Sequence, residues 1–301
     1  KLWIIIDCPS LMASCTSIEI LSFLRKQKST FLSEEIPAFA GMTTNTKKLI
    51  VANWKMNPTD GKTALSWFKK IQKTAHKYGK NVETVICPPA VYLQSLQSLV
   101  TDRDCVLGAQ NCFYENSGSY TGEISPEMIF NARARYVIIG HSERRALGET
   151  NEIVNRKIQK ILQYPLSVIL CVGEKKRSDN GAHFKEIKKQ IIECLQDVPI
   201  TAYDRIVIAY EPVWAIGKDA KRSATAEECF EMVTVIRRSV AELTKNPELG
   251  QNIKVLYGGS SNATNTQEFL TTGGADGLLV GRASLDPKEF STMITIASKL
   301  K

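Results

Sequence analysis

From Lys47 onward, continuous apolar runs rich in β-branched residues alternate with stretches of helical period. The runs are Leu49–Ala52, Val82–Cys87, Cys105–Gln110, Tyr136–Gly140, Leu166–Val172, Arg205–Tyr210, Ile253–Tyr257 and Gly277–Val280. Unbroken apolar runs, without polar alternation, predict strands buried on both faces of a parallel sheet. Between them, Leu65, Phe68, Ile71 and Ala75 step at helical spacing. So do Phe184, Ile187, Ile191 and Cys194, and also Phe230, Val233, Ile236, Val240 and Leu243. Each set predicts an apolar stripe packed on the sheet. Asn57-Pro58, Cys87-Pro88-Pro89, Asn246-Pro247 and Gly273-Gly274 punctuate the units. Eight strand–helix units in about 255 residues have the count and size of a closed (β/α)8 barrel. An open doubly wound sheet is the alternative, but no Gly-x-Gly-x-x-Gly follows the first strand.

Residues 1–46 do not share this organisation. Leu2-Trp3-Ile4-Ile5-Ile6 is an apolar burst that Asp7 stops, too short for a signal-peptide core. The stretch from Ser22 through Thr43 reads as translated bacterial palindromic repeat sequence, and Met42 is a credible start. The expected division is therefore a non-core extension over 1–46, from an in-frame insertion or a misassigned start, and a catalytic barrel over 47–301.

Composition narrows the function classes. The chain has 301 residues and is 43% apolar, enough for one large domain. Its net charge of +8 is spread thinly, as in Lys69-Lys70 and Lys175-Lys176-Arg177. These short clusters lack interleaved aromatic residues, so they predict a solvated face with no nucleic-acid partner. No apolar run approaches the ~18 residues that span a bilayer, and no membrane partner is expected. The eight cysteines form no Cys-x-x-Cys pair and no Cys/His cluster of zinc spacing. That predicts free thiols in a reducing cytoplasm and no metal site.

Chemistry in such barrels gathers where strands run into the following loops. The sixth strand ends at Glu211, followed by Pro212, Trp214 and Gly217. A carboxylate there, before a loop with hinge-like ends, suits a catalytic base under a moving lid; a surface Glu before a turn is the plain alternative. The first strand ends in Asn53-Trp54-Lys55, whose amide and ammonium point the same way if the chain stays extended. The fourth ends at His141; a helix beginning at Ser142 would disfavour a charged imidazole and leave a neutral hydrogen-bond donor. His76 and His183 lie in polar helical contexts and read as surface residues. Glycines after the last two strands, in Tyr257-Gly258-Gly259-Ser260 and Val280-Gly281-Arg282, suit close backbone approach to a phosphate.

Asn53-Trp54-Lys55-Met56-Asn57, Gly140-His141-Ser142-Glu143-Arg144-Arg145, Tyr210-Glu211-Pro212-Val213-Trp214-Ala215-Ile216-Gly217 and Tyr257-Gly258-Gly259-Ser260 together resemble the triosephosphate isomerase family. Gly108-Ala109-Gln110-Asn111 and Tyr120-Thr121-Gly122-Glu123 resemble it too, so the likeness runs in order through 47–301. The resemblance implies interconversion of dihydroxyacetone phosphate and glyceraldehyde 3-phosphate with no cofactor or metal. It implies Glu211 as base, His141 as the electrophile at the carbonyl, Lys55 as the positive charge near the substrate, and Asn53 as the group orienting its oxygen. It assigns phosphate contacts to the backbone of Gly217, Ser260, Gly281 and Arg282, and a supporting position to Glu143 and Ser142. It also implies a homodimer in which Cys112–Gly122 reaches the partner, with Thr121 near the partner's site.

Two departures stand out. The family's lid usually continues Ala-Ile-Gly-Thr-Gly-Lys, whereas Gly217 here precedes Lys218-Asp219-Ala220-Lys221-Arg222-Ser223, about two residues more and without the second glycine. Gly281-Arg282 stands where Gly-Gly is common. Arg282 reads as a rim ion pair, with added charge near the phosphate as the alternative. Competing readings of the whole are an aldolase-like barrel using Lys55 as a Schiff-base amine, and a barrel without activity that serves as a scaffold. Removing residues 1–41 is expected to leave isomerase activity and melting temperature nearly unchanged; collapse of either in an assay of the shortened chain would assign the extension to the fold.

Overall fold

The computed structural model describes residues 47–100, 105–178, 180–216 and 222–300. The extension expected over 1–46 lies outside the described residues. The chain divides into a barrel unit, Asn45–Arg177 with His183–Lys301, and a second unit, Lys1–Thr44 with Ser178–Ala182. In the described part of the second unit, Ser178 Oγ and Asn180 Oδ1 both accept the Ala182 N–H.

The strands are β1 (Lys48–Asn53), β2 (Val82–Cys87), β3 (Cys105–Ala109), β4 (Ala134–Ile139), β5 (Ser167–Val172), β6 (Ile206–Tyr210), β7 (Lys254–Tyr257) and β8 (Gly277–Val280). They pair in parallel, each with the next, and β8 returns to β1 to close the barrel. All eight expected strands are present; β2 and β8 keep their expected ends, and the other six shift by one or two residues. β4 begins two residues earlier than its apolar run, because Ala134 pairs with Leu107 although Arg135 interrupts the hydrophobic pattern. β1 extends to Asn53, whose partner is Cys87.

The connecting helices are α1 (Gly61–Tyr78), α2 (Leu93–Leu96), α3 (Pro126–Asn131), α4 (Ser142–Ala146) and α5 (Asn151–Ile161). Then come α6 (Ala182–Cys194), α7 (Ala226–Thr244), α8 (Pro247–Asn252), α9 (Thr266–Leu270) and α10 (Pro287–Ala297). Local chemistry sets their starts. Asp60 caps α1 by accepting the Thr63 N–H, and Thr225 with Glu228 forms a reciprocal capping box on α7.

Two apolar layers follow from the period-2 alternation of the strands. Leu49, Val51, Val85, Ile138, Ile169 and Leu256 belong to the cluster that fills the barrel. Ile50, Ile86, Val137 and Leu170 face outward and pack with helix residues such as Phe68 and Ile71. The α7 stripe is rotated from its expected place: Cys229, Met232, Val233, Ile236 and Val240 are buried, while Phe230 is exposed. Residue 229 carries that turn's contact, since the cysteine behaves as a small hydrophobe. His183, expected at the surface, is buried and lies against Phe184, because it falls on the inner side of α6. Closure leaves no room for a side chain at Gly277, where a Cβ would come 1.8 Å from the Leu49 carbonyl oxygen.

Candidate active site

The C-terminal ends of β1, β4, β6, β7 and β8 surround one cleft of about 700 Å³. Asn53, Lys55, His141 and Glu211 all line it, so the structure brings together the four residues singled out in the sequence. A second depression, bordered by Ile200, Tyr203 and Leu249, lies at the opposite end of β6 and β7 and contains none of them.

Glu211 is placed by the sheet itself. Its N–H donates to Val172 O of β5 at 2.8 Å, and Gly258 N–H donates to Tyr210 O on the other side at 2.7 Å. The backbone is so tightly enclosed that a Cβ at Gly173 would come 2.0 Å from Glu211 O. The carboxylate is 2% exposed at the level of the residue, yet it opens on the cleft. Its Oε2 accepts the Ser142 N–H at 2.8 Å and its Oε1 lies 3.0 Å from His141 Nε2.

His141 stands at the N-cap of α4, where its Nδ1 accepts the Glu143 N–H at 3.2 Å. An accepting Nδ1 assigns the ring proton of the neutral form to Nε2, which donates to Glu211. The preceding peptide is pinned at both ends. Gly140 N–H donates to Glu149 Oε2 at 3.1 Å, and Gly140 O accepts from Arg145 Nε at 2.7 Å. Glu149 in turn forms a buried ion pair with Lys157, whose ammonium also reaches Asn111 Oδ1 at 2.8 Å. Breaking such a buried pair by removing one partner costs about 3–5 kcal/mol, so the turn carrying His141 is held firmly.

Lys55 departs from the extended geometry expected for it. Its φ is +52°, a left-handed conformation unusual for a residue with a side chain. Three contacts hold it there or beside it: Lys55 N–H donates to Asn53 Oδ1 at 3.1 Å, and Gln110 Nε2 donates to Lys55 O and to Cys87 O at 2.8 and 2.9 Å. The amide of Asn53 therefore meets the Lys55 backbone, which replaces the side-by-side arrangement an extended chain would give. The ammonium lies 2.5 Å from Glu143 Oε1. Both groups are partly exposed, so this pair orients Lys55 more than it stabilises the fold. An ion-paired, half-exposed lysine also lacks the dry surroundings that make an amine nucleophilic.

Ser260, Gly281 and Arg282 line the same cleft, whereas Gly217 lies outside the described residues. The Arg282 guanidinium forms no ion pair among the described residues, against the rim pairing expected for it. Thr121 is exposed in the loop between β3 and α3. Of the longer lid, Lys218–Lys221 lie outside the described residues, while Arg222 and Ser223 border the cleft.

Sequence reasoning missed Glu174. It is fully buried just beyond β5, and its Oε1 accepts from Tyr210 OH at 2.8 Å and Trp214 Nε1 at 2.7 Å. Burial raises its proton affinity above that of an ordinary carboxyl, against the pull of those two donors. The signal was available, since Glu174 stands two residues past the end of β5, on the same rim where Glu211 directly follows β6. Gln110, named only within a motif, is the other supporting residue whose place was not evident.

His141 is subject to opposed forces. Burial weakens its hold on a proton, but the adjoining Glu211 carboxylate strengthens it by charge and hydrogen bond, and the net lies above the usual 6.5. The expectation of a neutral ring considered the helix terminus alone. Without Glu211, burial and the Lys55 ammonium would favour a neutral ring, opposed by the Glu143 carboxylate 3.8 Å from Nδ1.

A family model described as triosephosphate isomerase matches residues 48–297. The triosephosphate isomerase of Dictyoglomus turgidum is 43% identical over 246 residues, covering 81% of this chain and 97% of that one. The enzyme of Aquifex aeolicus is 42% identical over 252 residues, covering 82% and 98%. The crystal structure of triosephosphate isomerase from Bartonella henselae superposes with a TM-score of 0.71 at 32% identity, covering 83% of this chain and 99% of the other.

The pairing predicts a pH dependence. The His141 midpoint, followed by ring-nitrogen NMR, should lie above 6.5 in the parent and fall in Glu211→Gln. Stability from the pair is complete below the unfolded imidazole value and is lost as pH rises through the raised folded value. A midpoint unmoved by the substitution would dissociate the ring from Glu211.

Proposed function

This chain belongs to the triosephosphate isomerase family and interconverts dihydroxyacetone phosphate and D-glyceraldehyde 3-phosphate, a step of glycolysis and gluconeogenesis, and we propose that Glu211, His141, Lys55 and Asn53 carry the reaction. The observation that supports these roles most is the convergence of all four on one barrel-mouth cleft.

In this reading Glu211 removes a proton from one substrate carbon and returns it to the neighbouring carbon, through an enediolate. A carboxylate does this best when it is fixed in direction and shielded from water. Glu211 meets both conditions through its backbone bonds to β5 and its near-complete burial. In the described structure its oxygens are occupied by Ser142 N–H and His141 Nε2, so catalysis requires the carboxylate to exchange those donors for substrate.

That exchange frees the Nε2–H of His141 to donate to the substrate oxygens as charge develops on them. Lys55 supplies a fixed positive charge to the enediolate, and Asn53 orients an oxygen; both act without reorganisation because loop contacts already hold them. Glu143 and Ser142 support the site by orienting Lys55 and holding the resting Glu211. Backbone groups at Gly217, Ser260, Gly281 and Arg282 take the phosphate. An enediolate open to water tends to expel its phosphate, which gives the lid beyond Trp214 its chemical purpose.

A homodimer in the cytoplasm is part of the same proposal. Large apolar side chains protrude from the loops after β1, β2 and β4: Met56 at 91%, Val91 at 79% and Leu147 at 79% exposure. Thr121 and the half-exposed Tyr120 stand on the loop after β3. Exposed apolar groups on four adjacent loops suit a second copy of the chain. The free, buried cysteines Cys87, Cys105, Cys112, Cys171, Cys194 and Cys229 suit a reducing compartment. Sedimentation of the protein recovered from the cytoplasmic fraction at about twice its 33.5 kDa chain mass is the expected outcome; a monomer at micromolar concentration would refute the assembly.

Glu211→Gln should lower kcat about a thousandfold, in the range that a positioned general base contributes, while leaving phosphate-ligand affinity largely intact. A coupled assay of triose phosphate isomerisation decides it, and a variant as active as the parent would remove Glu211 from the role of base.

A further inference from the structure

Three fixed cations border the cleft among the described residues, and two of them are already engaged. Lys55 is held by Glu143 at 2.5 Å. Arg222 makes two bonds to the Glu228 carboxylate, at 2.8 and 2.7 Å, and its guanidinium stacks over the Trp214 ring at 4.6 Å. Arg282 is the third. It is exposed at the cleft, and among the described residues it has no hydrogen bond, ion pair or ring contact.

Its backbone position is well defined. A Cβ on the preceding Gly281 would come 3.3 Å from Lys55 Cε and 3.8 Å from Nζ, so the segment carrying Arg282 rests against the Lys55 side chain. Ser284, two residues on, is buried and donates to Gly281 O at 2.6 Å through its hydroxyl. A flexible guanidinium therefore springs from a fixed turn, beside a second cation, with no protein anion to answer it. An arginine carries a planar set of donors suited to two oxygens of one phosphate.

We propose that the Arg282 side chain is a ligand for the substrate's phosphate, adding a charged grip to the backbone donors at Ser260 and Gly281. The inference rests on the reading of this cleft as the triose phosphate site. It makes affinity depend on the dianionic phosphate and on ionic strength, because an exposed guanidinium–phosphate contact is screened by salt.

The test is binding of inorganic phosphate, measured by calorimetry and as competitive inhibition, to the parent and to Arg282→Gln, Arg282→Gly and Arg282→Lys at low and high salt. Arg282 is exposed, so among the described residues these substitutions remove no hydrogen bond, ion pair or ring contact. The expected result is affinity about tenfold weaker at low salt for Gln and Gly, within the range of hydrogen bonds to charged groups. The difference should narrow at high salt, Lys should recover part of the loss, and the fall in kcat/KM should lie mainly in KM. Phosphate affinity in Arg282→Gln within about twofold of the parent at low salt would overturn the proposal, whatever the parent's activity. A parent that binds phosphate through Arg282 but does not isomerise triose phosphates would leave this ligand standing and sink the assignment of the reaction.

Discussion

The closed parallel hydrogen-bond ladder is the constraint from which the site follows. Eight strands running the same way around a barrel must all end on one rim, so residues far apart in the chain become neighbours there. Asn53 and Glu211 are separated by most of the barrel sequence, yet each stands at a strand's last position or just past it. Closure demands close backbone approach, which excludes a side chain at Gly277 beside β1 and at Gly173 beside Glu211. The same crowding that forbids those side chains deprives Glu211 of freedom. Its direction is set by hydrogen bonds to β5 and by β7 on its other side, before any side-chain contact is made.

Side-chain electrostatics then refine what the ladder positions. The Glu149–Lys157 pair is buried, and both partners carry further bonds, to Gly140 and to Asn111. Replacing such a pair by apolar residues need not weaken a fold, so stability alone does not account for it. Its geometry does. It links the loop after β3 to the peptide before His141, whose imidazole stands between the Glu143 N–H and Glu211. The resting pair of His141 and Glu211 also keeps a carboxylate and a buried ring mutually satisfied until a ligand takes their place.

Most of the framework was legible in the sequence because parallel strands buried on both faces write themselves as unbroken apolar runs. The ends were less legible, since Arg135 lies within β4 while pointing to solvent. Helix faces followed the expected spacing on α1 and α6, but spacing did not settle each position. Cys229 and His183 are buried although neither looks like core, and Phe230 is exposed although it does. At the cleft, Asn53, Lys55, His141 and Glu211 could each be picked out from a strand-end position, but the left-handed turn at Lys55 could not. That conformation depends on Gln110, two strands away, and no local pattern encodes a contact at that separation. Glu174 was passed over for a related reason: its significance comes from Tyr210 and Trp214, which a reading along the chain does not bring to it.

The lid region shows how a change of sequence can be absorbed without loss of anchoring. Trp214 is bonded to Glu174 on one side and covered by Arg222 on the other. Arg222 also bonds Glu228, which accepts the Thr225 N–H at the start of α7 and is held to about 2 by that arginine, against the effect of burial. The segment leaving β6 and the segment entering α7 are thus joined through two side chains, independently of the residues between them. The added length lies between Ile216 and Arg222, and the entropic cost of lengthening a segment between two anchored ends rises only slowly with residue number. The departure from the family's lid sequence therefore falls between two anchored segments, and Glu211 keeps its frame from the neighbouring strands.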